Sequence, residues 1–297
     1  MKQIIQNSLS RIGYQLMRIK PENDYQRYQS LLPNDSIRRK AFYNISAGGH
    51  FGFGGGFYHP LWTNIDVSFD GQNPCYNEQK DIRHDFLEKT QLPLESNDAE
   101  LFLSRFTIEH ITDEAALYML KEVHRCLKQN GVFRIIAPNN ELDYSAYQNN
   151  DLSFFDWIGW QSEPKTMKKL CYAIPPNATS IHQVFLAHFA SNASIIHGDG
   201  SENPIVDEEF EEIMKSLAFE DAMNFCTARC SVEKQKLYRQ NHINWWTYKK
   251  TEKFLREAGF NKVYAMSPTQ SISQIMRNNK WFYGLFDQVA FYMEAVK

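Results

Sequence analysis

A carboxylate that follows a glycine-rich loop at a set distance speaks directly of a ligand. The run Asn44-Ile45-Ser46-Ala47-Gly48-Gly49 opens such a loop, and further glycines stand at 52, 54, 55 and 56. Asp66 comes eighteen residues after Gly48. Glycine lets backbone approach a ligand closely. A carboxylate accepts the two hydrogen bonds that ribose hydroxyls donate. A dinucleotide site would also need the glycines to open a helix whose N-terminus meets a pyrophosphate. The residues after Gly49 read HFGFGGGFYHPLW, and Pro60 and the glycines work against a helix there. An adenosine ligand without phosphates therefore fits better than a nicotinamide one. Other clusters offer less chemistry. Cys226 and Cys230 lie four apart, not at the two-residue gap of a zinc or redox pair. The five cysteines are irregularly spaced and read as free thiols. His182, His188 and His197 share no helical face, so no metal site is expected of them.

These residues need elements to position them. Short strands are expected over 40–46, 62–67 (with Asp66 near its end) and 82–86 (with Asp85 toward its end). The run AELFLSRF, Ala99 to Phe106, reads as a buried strand. Thr112 or Asp113 can cap a helix whose apolar face runs through Ala116, Leu120, Val123 and Leu127, and Asn130-Gly131 reads as its left-handed close. A fifth strand, 132–137, stops at Pro138. From Asn139 to about Gln240 the pattern loosens into aromatic-rich, mixed helical sequence. Order returns with a helix from Thr247 to Ala258, ended by Gly259, and strands over 261–266 and 288–296. Strands alternating with helices imply a mostly parallel sheet covered on both faces, with ligands at the carboxyl ends of its strands. Ahead of this core, residues 30–39 read as a polar linker. Residues 1–20 read as an amphipathic helix with four basic and no acidic side chains. Such a helix packs on the body of the protein or a partner subunit, or lies on an anionic membrane surface.

Composition sets limits. With 297 residues, 43% hydrophobic and 23% charged, the chain can bury a real core. A net charge of −3 and no basic stripe argue against nucleic acid as partner. No apolar run reaches membrane-spanning length and no signal peptide is evident, so a cytoplasmic protein is expected, peripheral at the inner membrane face if the N-terminal helix binds lipid.

The segment LPLESNDAELFLSRFTIEHITDEAALYMLKEVHRCLKQNGVFRIIAPN resembles the class I S-adenosylmethionine-dependent methyltransferases, in the type 11-like branch. Leu92-Pro93, Glu109-His110-Ile111, Glu122, Arg125, Leu127-Lys128 and Gly131 carry the likeness. The C-terminal HINWWTYKKTEKFLREAGF resembles the same branch. The resemblance implies a doubly wound α/β fold with a mostly parallel seven-stranded sheet, and S-adenosylmethionine as cofactor. The resemblance covers about Lys40 to Asn139 and His242 to Lys297, and the chain is expected to divide into an N-terminal helix and linker (1–39), a cofactor-binding core (40–138), an inserted, mainly helical substrate cap that follows the fifth strand (139–240) and a completing segment (241–297). The resemblance implies that Asn44, Ala47, Gly48 and Gly49 line the methionine part of the cofactor and that Asp66 binds the ribose. Asp85, with Asp81 as rival, would stand beside the adenine, and Ser104, Arg105 and Phe106 would border the sulfonium. Asn44 stands where the family usually has a carboxylate, Ser46 where its first glycine falls, and LKQNG replaces LKPGG. These departures leave a non-catalytic binding or scaffold protein as the alternative to an enzyme.

Methyl transfer is an in-line displacement, so the protein must align the acceptor and exclude water. A hydroxyl acceptor also needs a base, and His110, Asp143 and His242 are the candidates. The acceptor expected is a small molecule or glycan, methylated on oxygen.

Overall fold

The computed structural model describes residues 24–45, 57, 59–67, 81–155, 180–196, 203–237, 239, 241–282 and 288–297. The expected N-terminal helix over 1–20, Ala47, Gly48, Gly49 and the rest of the glycine-rich loop up to Gly56 lie outside these residues.

Seven strands form one sheet in the order β3-β2-β1-β4-β5-β7-β6. They are β1 (Phe42–Ile45), β2 (Thr63–Asp66), β3 (Ile82–Arg83), β4 (Ala99–Arg105), β5 (Leu127–Pro138), β6 (Lys262–Met266) and β7 (Ala290–Val296). The first five pair in parallel, and β7 runs antiparallel between β5 and β6. Strand order reverses between β1 and β4, so the crevice that such sheets offer a ligand lies past Ile45 and Arg105. Side chains alternate between faces along each strand. Tyr43, Ile45, Phe102, Phe133 and Ile135 join one core with helices α3 (Asp113–Cys126) and α9 (Tyr248–Glu257). Phe42, Leu101, Leu103, Val132 and Ile136 join the opposite core, with Tyr28, Ile37, Met276 and Phe282. The sheet is thus covered on both faces, which is the doubly wound arrangement.

Three local expectations need correction. Residues 30–39 are not a linker: they end α1 (Asp24–Leu31) and form α2 (Asn34–Arg39), which pack Tyr28 and Ile37 on the second core. Asn130-Gly131 does not close α3, which ends at Cys126 with Leu127 already extended. Asn130 is left-handed, at φ 65°, but it turns the chain inside β5, where its N–H donates to the Lys297 carbonyl at 2.9 Å. Pairing with β4 and the C-terminus wins over the helix-closing look of the sequence. Finally, β3 is only two residues long, and Asp85 lies beyond it as the cap of the turn Phe86–Glu88.

Between β5 and α9, the described residues form α4 (Asn140–Gln148), α5 (Ile181–Phe189), α6 (Asp207–Ser216), α7 (Phe219–Thr227) and α8 (Val232–Leu237). Phe185, Phe189, Phe210, Ile213, Met223 and Trp245 form an apolar core of their own here. Helix α4 starts directly after β5, so this layer is anchored at the carboxyl edge of the sheet.

Thr247 caps α9 by accepting from the Lys250 N–H at 3.1 Å, and Gly259 ends the helix at φ 108°. A Cβ at Gly259 would meet His124 Cε1 at 3.1 Å in a conformation that L residues rarely adopt. Gly259→Ala is expected to destabilise the protein by about 1–3 kcal/mol, read as a lower thermal midpoint. An unchanged midpoint would show that the turn does not need its left-handed residue.

Candidate active site

The carboxyl ends of β1, β2, β4 and β5 lie on one edge of the sheet, and most candidate residues lie there with them. Asn44 is buried in β1 and donates from Nδ2 to Asn64 Oδ1 at 3.1 Å, while its own Oδ1 has no hydrogen-bond partner among the described residues. Asp66 ends β2, half-buried, in register with Arg83 of β3. Asp81 is buried and accepts the Asn64 N–H at 3.0 Å. Asp85 is committed at both oxygens: Oδ1 accepts the Leu87 N–H at 2.9 Å and Oδ2 pairs with Arg239 at 3.2 Å.

Beyond β4 the chain turns sharply. Ser104 is buried with an unpartnered Oγ among the described residues, Arg105 is half-buried, and Phe106 adopts a left-handed φ of 52°. The Phe106 N–H donates to the Ile136 carbonyl at 2.8 Å, which fixes this turn to β5. A single turn, Ile108–His110, follows and brings Glu109 and His110 to the base of the helical layer.

Glu109 is 1% exposed, and neither carboxylate oxygen has a hydrogen-bond partner among the described residues. Burial without a partner penalises the charged form and pushes its carboxyl up to about 8. Its backbone carbonyl accepts from the Ile243 and Asn244 N–H groups at 2.9 and 3.1 Å. His110 lies 3.9 Å from Glu109, from Nε2 to Oε1. Its Nδ1 meets the Asn241 carbonyl at 2.9 Å, so the ring proton sits on Nδ1 and Nε2 is the acceptor. One edge of the ring is exposed, but protein surrounds the rest, and this desolvation lowers its pKa to about 4. The imidazole is therefore neutral at physiological pH.

His242 packs edge-on against His110, ring centroids 4.9 Å apart. Its Nδ1 meets the His188 carbonyl at 2.6 Å, which assigns the proton to Nδ1 here too. The third candidate base, Asp143, is fully buried on α4. Its Oδ2 accepts from Asn140 Nδ2 and from His188 Nδ1, both at 2.7 Å. Asp143 thus meets the histidine pair through His188 rather than directly. Asn140 also ties the layer to the core: its Oδ1 accepts the Trp246 N–H at 2.7 Å, and the Trp246 indole donates to the Ile108 carbonyl at 2.8 Å. Trp245 and Trp246 are both buried, and the Lys250 ammonium sits 4.2 and 4.6 Å from their rings, bonded to Asp113 at 2.8 Å. They anchor the layer and offer no open stacking face.

The short motif Glu109-His110 already draws attention to the turn, but nothing in the sequence ties His188 to Asp143. It pairs with a residue 45 positions away, at no spacing that a motif could carry. Nor did anything in the sequence mark Glu109 as a buried carboxylate without a donor.

Residues 50–135 match the family model of a methyltransferase domain. This stretch carries a methyltransferase domain. Among curated proteins none matches the sequence. Solved structures similar to it include S-adenosylmethionine-dependent methyltransferases of three organisms. That of Thermotoga maritima has 12% identity and a TM-score of 0.38, over 92% of this chain and 87% of the other. That of Mesorhizobium loti has 12% identity and a TM-score of 0.37, over 94% and 100%. That of Archaeoglobus fulgidus has 9% identity and a TM-score of 0.37, over 93% and 100%. The cofactor of the methyltransferase domain is S-adenosylmethionine, and the crevice suits it. Asp66 offers a carboxylate at the end of β2, and Asn44 Oδ1 and Ser104 Oγ are polar atoms at this edge with bonding capacity left among the described residues.

Proposed function

We propose that this methyltransferase domain is catalytically active and methylates a hydroxyl of a small molecule or glycan, with residues 139–240 capping the acceptor. The observation that carries this reading is the pair His110 and His242, in ring contact, each with Nδ1 tied to a backbone carbonyl, and seated where the cap meets the carboxyl edge of the sheet. Bound in the crevice, S-adenosylmethionine supplies an electrophilic methyl group and a good leaving group. Asp66 holds the ribose, and Asn44, Gly48 and Gly49 line the methionine end. The turn Arg105-Phe106 borders the methyl. His110 Nε2 accepts the acceptor hydroxyl proton as its oxygen attacks, and His242 packs against that ring and holds its orientation. The cap excludes water from the transfer.

A glycan acceptor agrees with the absence of a basic stripe in the sequence and with the aromatic content of the cap. The protein then works in the cytoplasm, with residues 1–20 touching the inner membrane face or a second subunit. Among the described residues, no helix is long and apolar enough to cross a membrane.

Calorimetric titration with S-adenosylmethionine and S-adenosylhomocysteine is the first test, followed by transfer of a labelled methyl group to a panel of hydroxylated sugars. Absence of binding by either ligand would remove the enzyme reading. Binding without transfer to any acceptor would support the alternative, a cofactor-binding scaffold, which the replacement of a carboxylate by Asn44 favours. Asp66→Ala is expected to weaken S-adenosylmethionine binding by about 10- to 100-fold, the worth of a charge-assisted hydrogen-bond pair. An affinity within twofold of wild type would remove Asp66 from the ribose site.

A further inference from the structure

Glu109, His110 and His242 each offer one ligand atom, and these atoms lie within 4.8 Å of one another. The geometry points to a divalent cation site formed by these three side chains, of the two-histidine, one-carboxylate type that zinc takes with an exchangeable fourth ligand. This rests on the proposed function only for the identity of the fourth ligand, the acceptor oxygen, and it changes the source of activation: with the cation bound, His110 Nε2 is a ligand and not a base, and the cation would instead acidify the acceptor hydroxyl, whose proton leaves to bulk water as it binds.

Three observations carry it. First, the carboxylate of Glu109 is buried with no hydrogen-bond partner among the described residues, and His110 Nε2 lies 3.9 Å from its Oε1. A cation is the missing complement of a buried carboxylate. Second, both imidazoles direct Nδ1–H to a backbone carbonyl, His110 to Asn241 and His242 to His188. That is how proteins fix the tautomer of a ligating histidine and aim Nε2 at a metal. Third, the two chain segments are bolted together independently of any ion. The Glu109 carbonyl accepts from Ile243 and Asn244, and Asn244 Nδ2 donates to the Ile111 carbonyl at 2.9 Å. The ligands are thus held on a preformed frame rather than gathered from mobile loops. A tetrahedral zinc sphere has an edge of about 3.3 Å at the usual bond lengths, so binding draws these ligand atoms closer together than they stand here. The exposed edge of His110 gives a path of entry. Sequence spacing brings only His182, His188 and His197 into consideration, and from them no metal is expected.

The test is zinc titration of the purified, chelator-stripped full chain by calorimetry, with metal content measured by mass spectrometry, and cobalt(II) substitution read by visible absorption. About one zinc per chain is expected. Glu109→Gln and His110→Gln should each weaken binding at least tenfold and abolish the cobalt spectrum of a low-coordinate site. Glu109→Gln keeps size and shape, and its circular dichroism and thermal midpoint report that it has folded. A wild-type chain that takes up less than a tenth of an equivalent, or variants that bind zinc as the wild type does, would overturn the site. S-adenosylmethionine titration of the same preparations separates this failure from failure of the methyltransferase reading, since the cofactor crevice does not include Glu109.

Discussion

Glu294→Ala is expected to cost the protein about 3–5 kcal/mol, the penalty for stranding one half of a buried ion pair. Arg134 and Glu294 face each other across β5 and β7, both 0% exposed, 2.9 Å apart. Each has further partners. Arg134 donates to the carbonyls of Gln270 and Pro268 at 2.6 and 2.9 Å, and its guanidinium lies over the Tyr292 ring. Glu294 accepts from Ser271 Oγ and from the Ile272 N–H, each at 2.6 Å. The pair therefore folds the loop 267–272 onto the sheet as well as joining two strands. Alanine at 294 leaves a guanidinium buried with carbonyl partners but no anion. The thermal midpoint should fall by roughly 10 °C, at a few degrees per kcal/mol for a chain of this size. The double variant Arg134→Met, Glu294→Leu removes both charges and is expected to recover more than half of that loss. A single variant within 2 °C of wild type, or a double variant no better than the single, would mean the pair contributes little beyond its packing volume.

Neither partner of this pair could be read as such from the sequence. They are 160 residues apart, and each sits in a strand whose apolar run suggested only core. The same limit explains most of what was missed. The sheet itself was legible, because AELFLSRF and GVFRIIAP are apolar runs of strand length bounded by polar turns. Helices α3 and α9 were legible because Thr112 and Thr247 stand where an N-cap belongs and an apolar stripe follows. Helices α1 and α2 were not. Their sequences, DYQRYQSL and NDSIRR, are polar, and only Tyr28 and Ile37 reach the core, too few to establish a period. LKQNG misled for the opposite reason: its local chemistry suits a helix end, yet strand pairing of Leu127 with Ala99 claims it first. At the site, residues 104–110 were legible as a group because they are contiguous. The histidines that complete the group come from α5 and from the segment before α9, and only the topology brings them to the same turn.

His110→Ala and His242→Ala are each expected to lower kcat by about 10²- to 10⁴-fold, the usual worth of a positioned base. The affinity for S-adenosylmethionine should stay within about twofold of wild type, because neither ring lies in the crevice beside Asp66. The two rings are in contact and both are pinned by a carbonyl through Nδ1, so they form one unit. The double variant should therefore fall hardly further than either single one, as groups acting together are far from additive. Asp143 enters by a different route. Its carboxylate holds His188, whose carbonyl in turn holds His242. Asp143→Asn keeps one acceptor oxygen for His188 and is expected to cost about tenfold in kcat, less than loss of either ring. Turnover within threefold of wild type in both histidine variants would take proton transfer away from this pair. Independent, multiplying losses would instead separate the two rings into distinct roles, one at the acceptor and one in the frame that supports it.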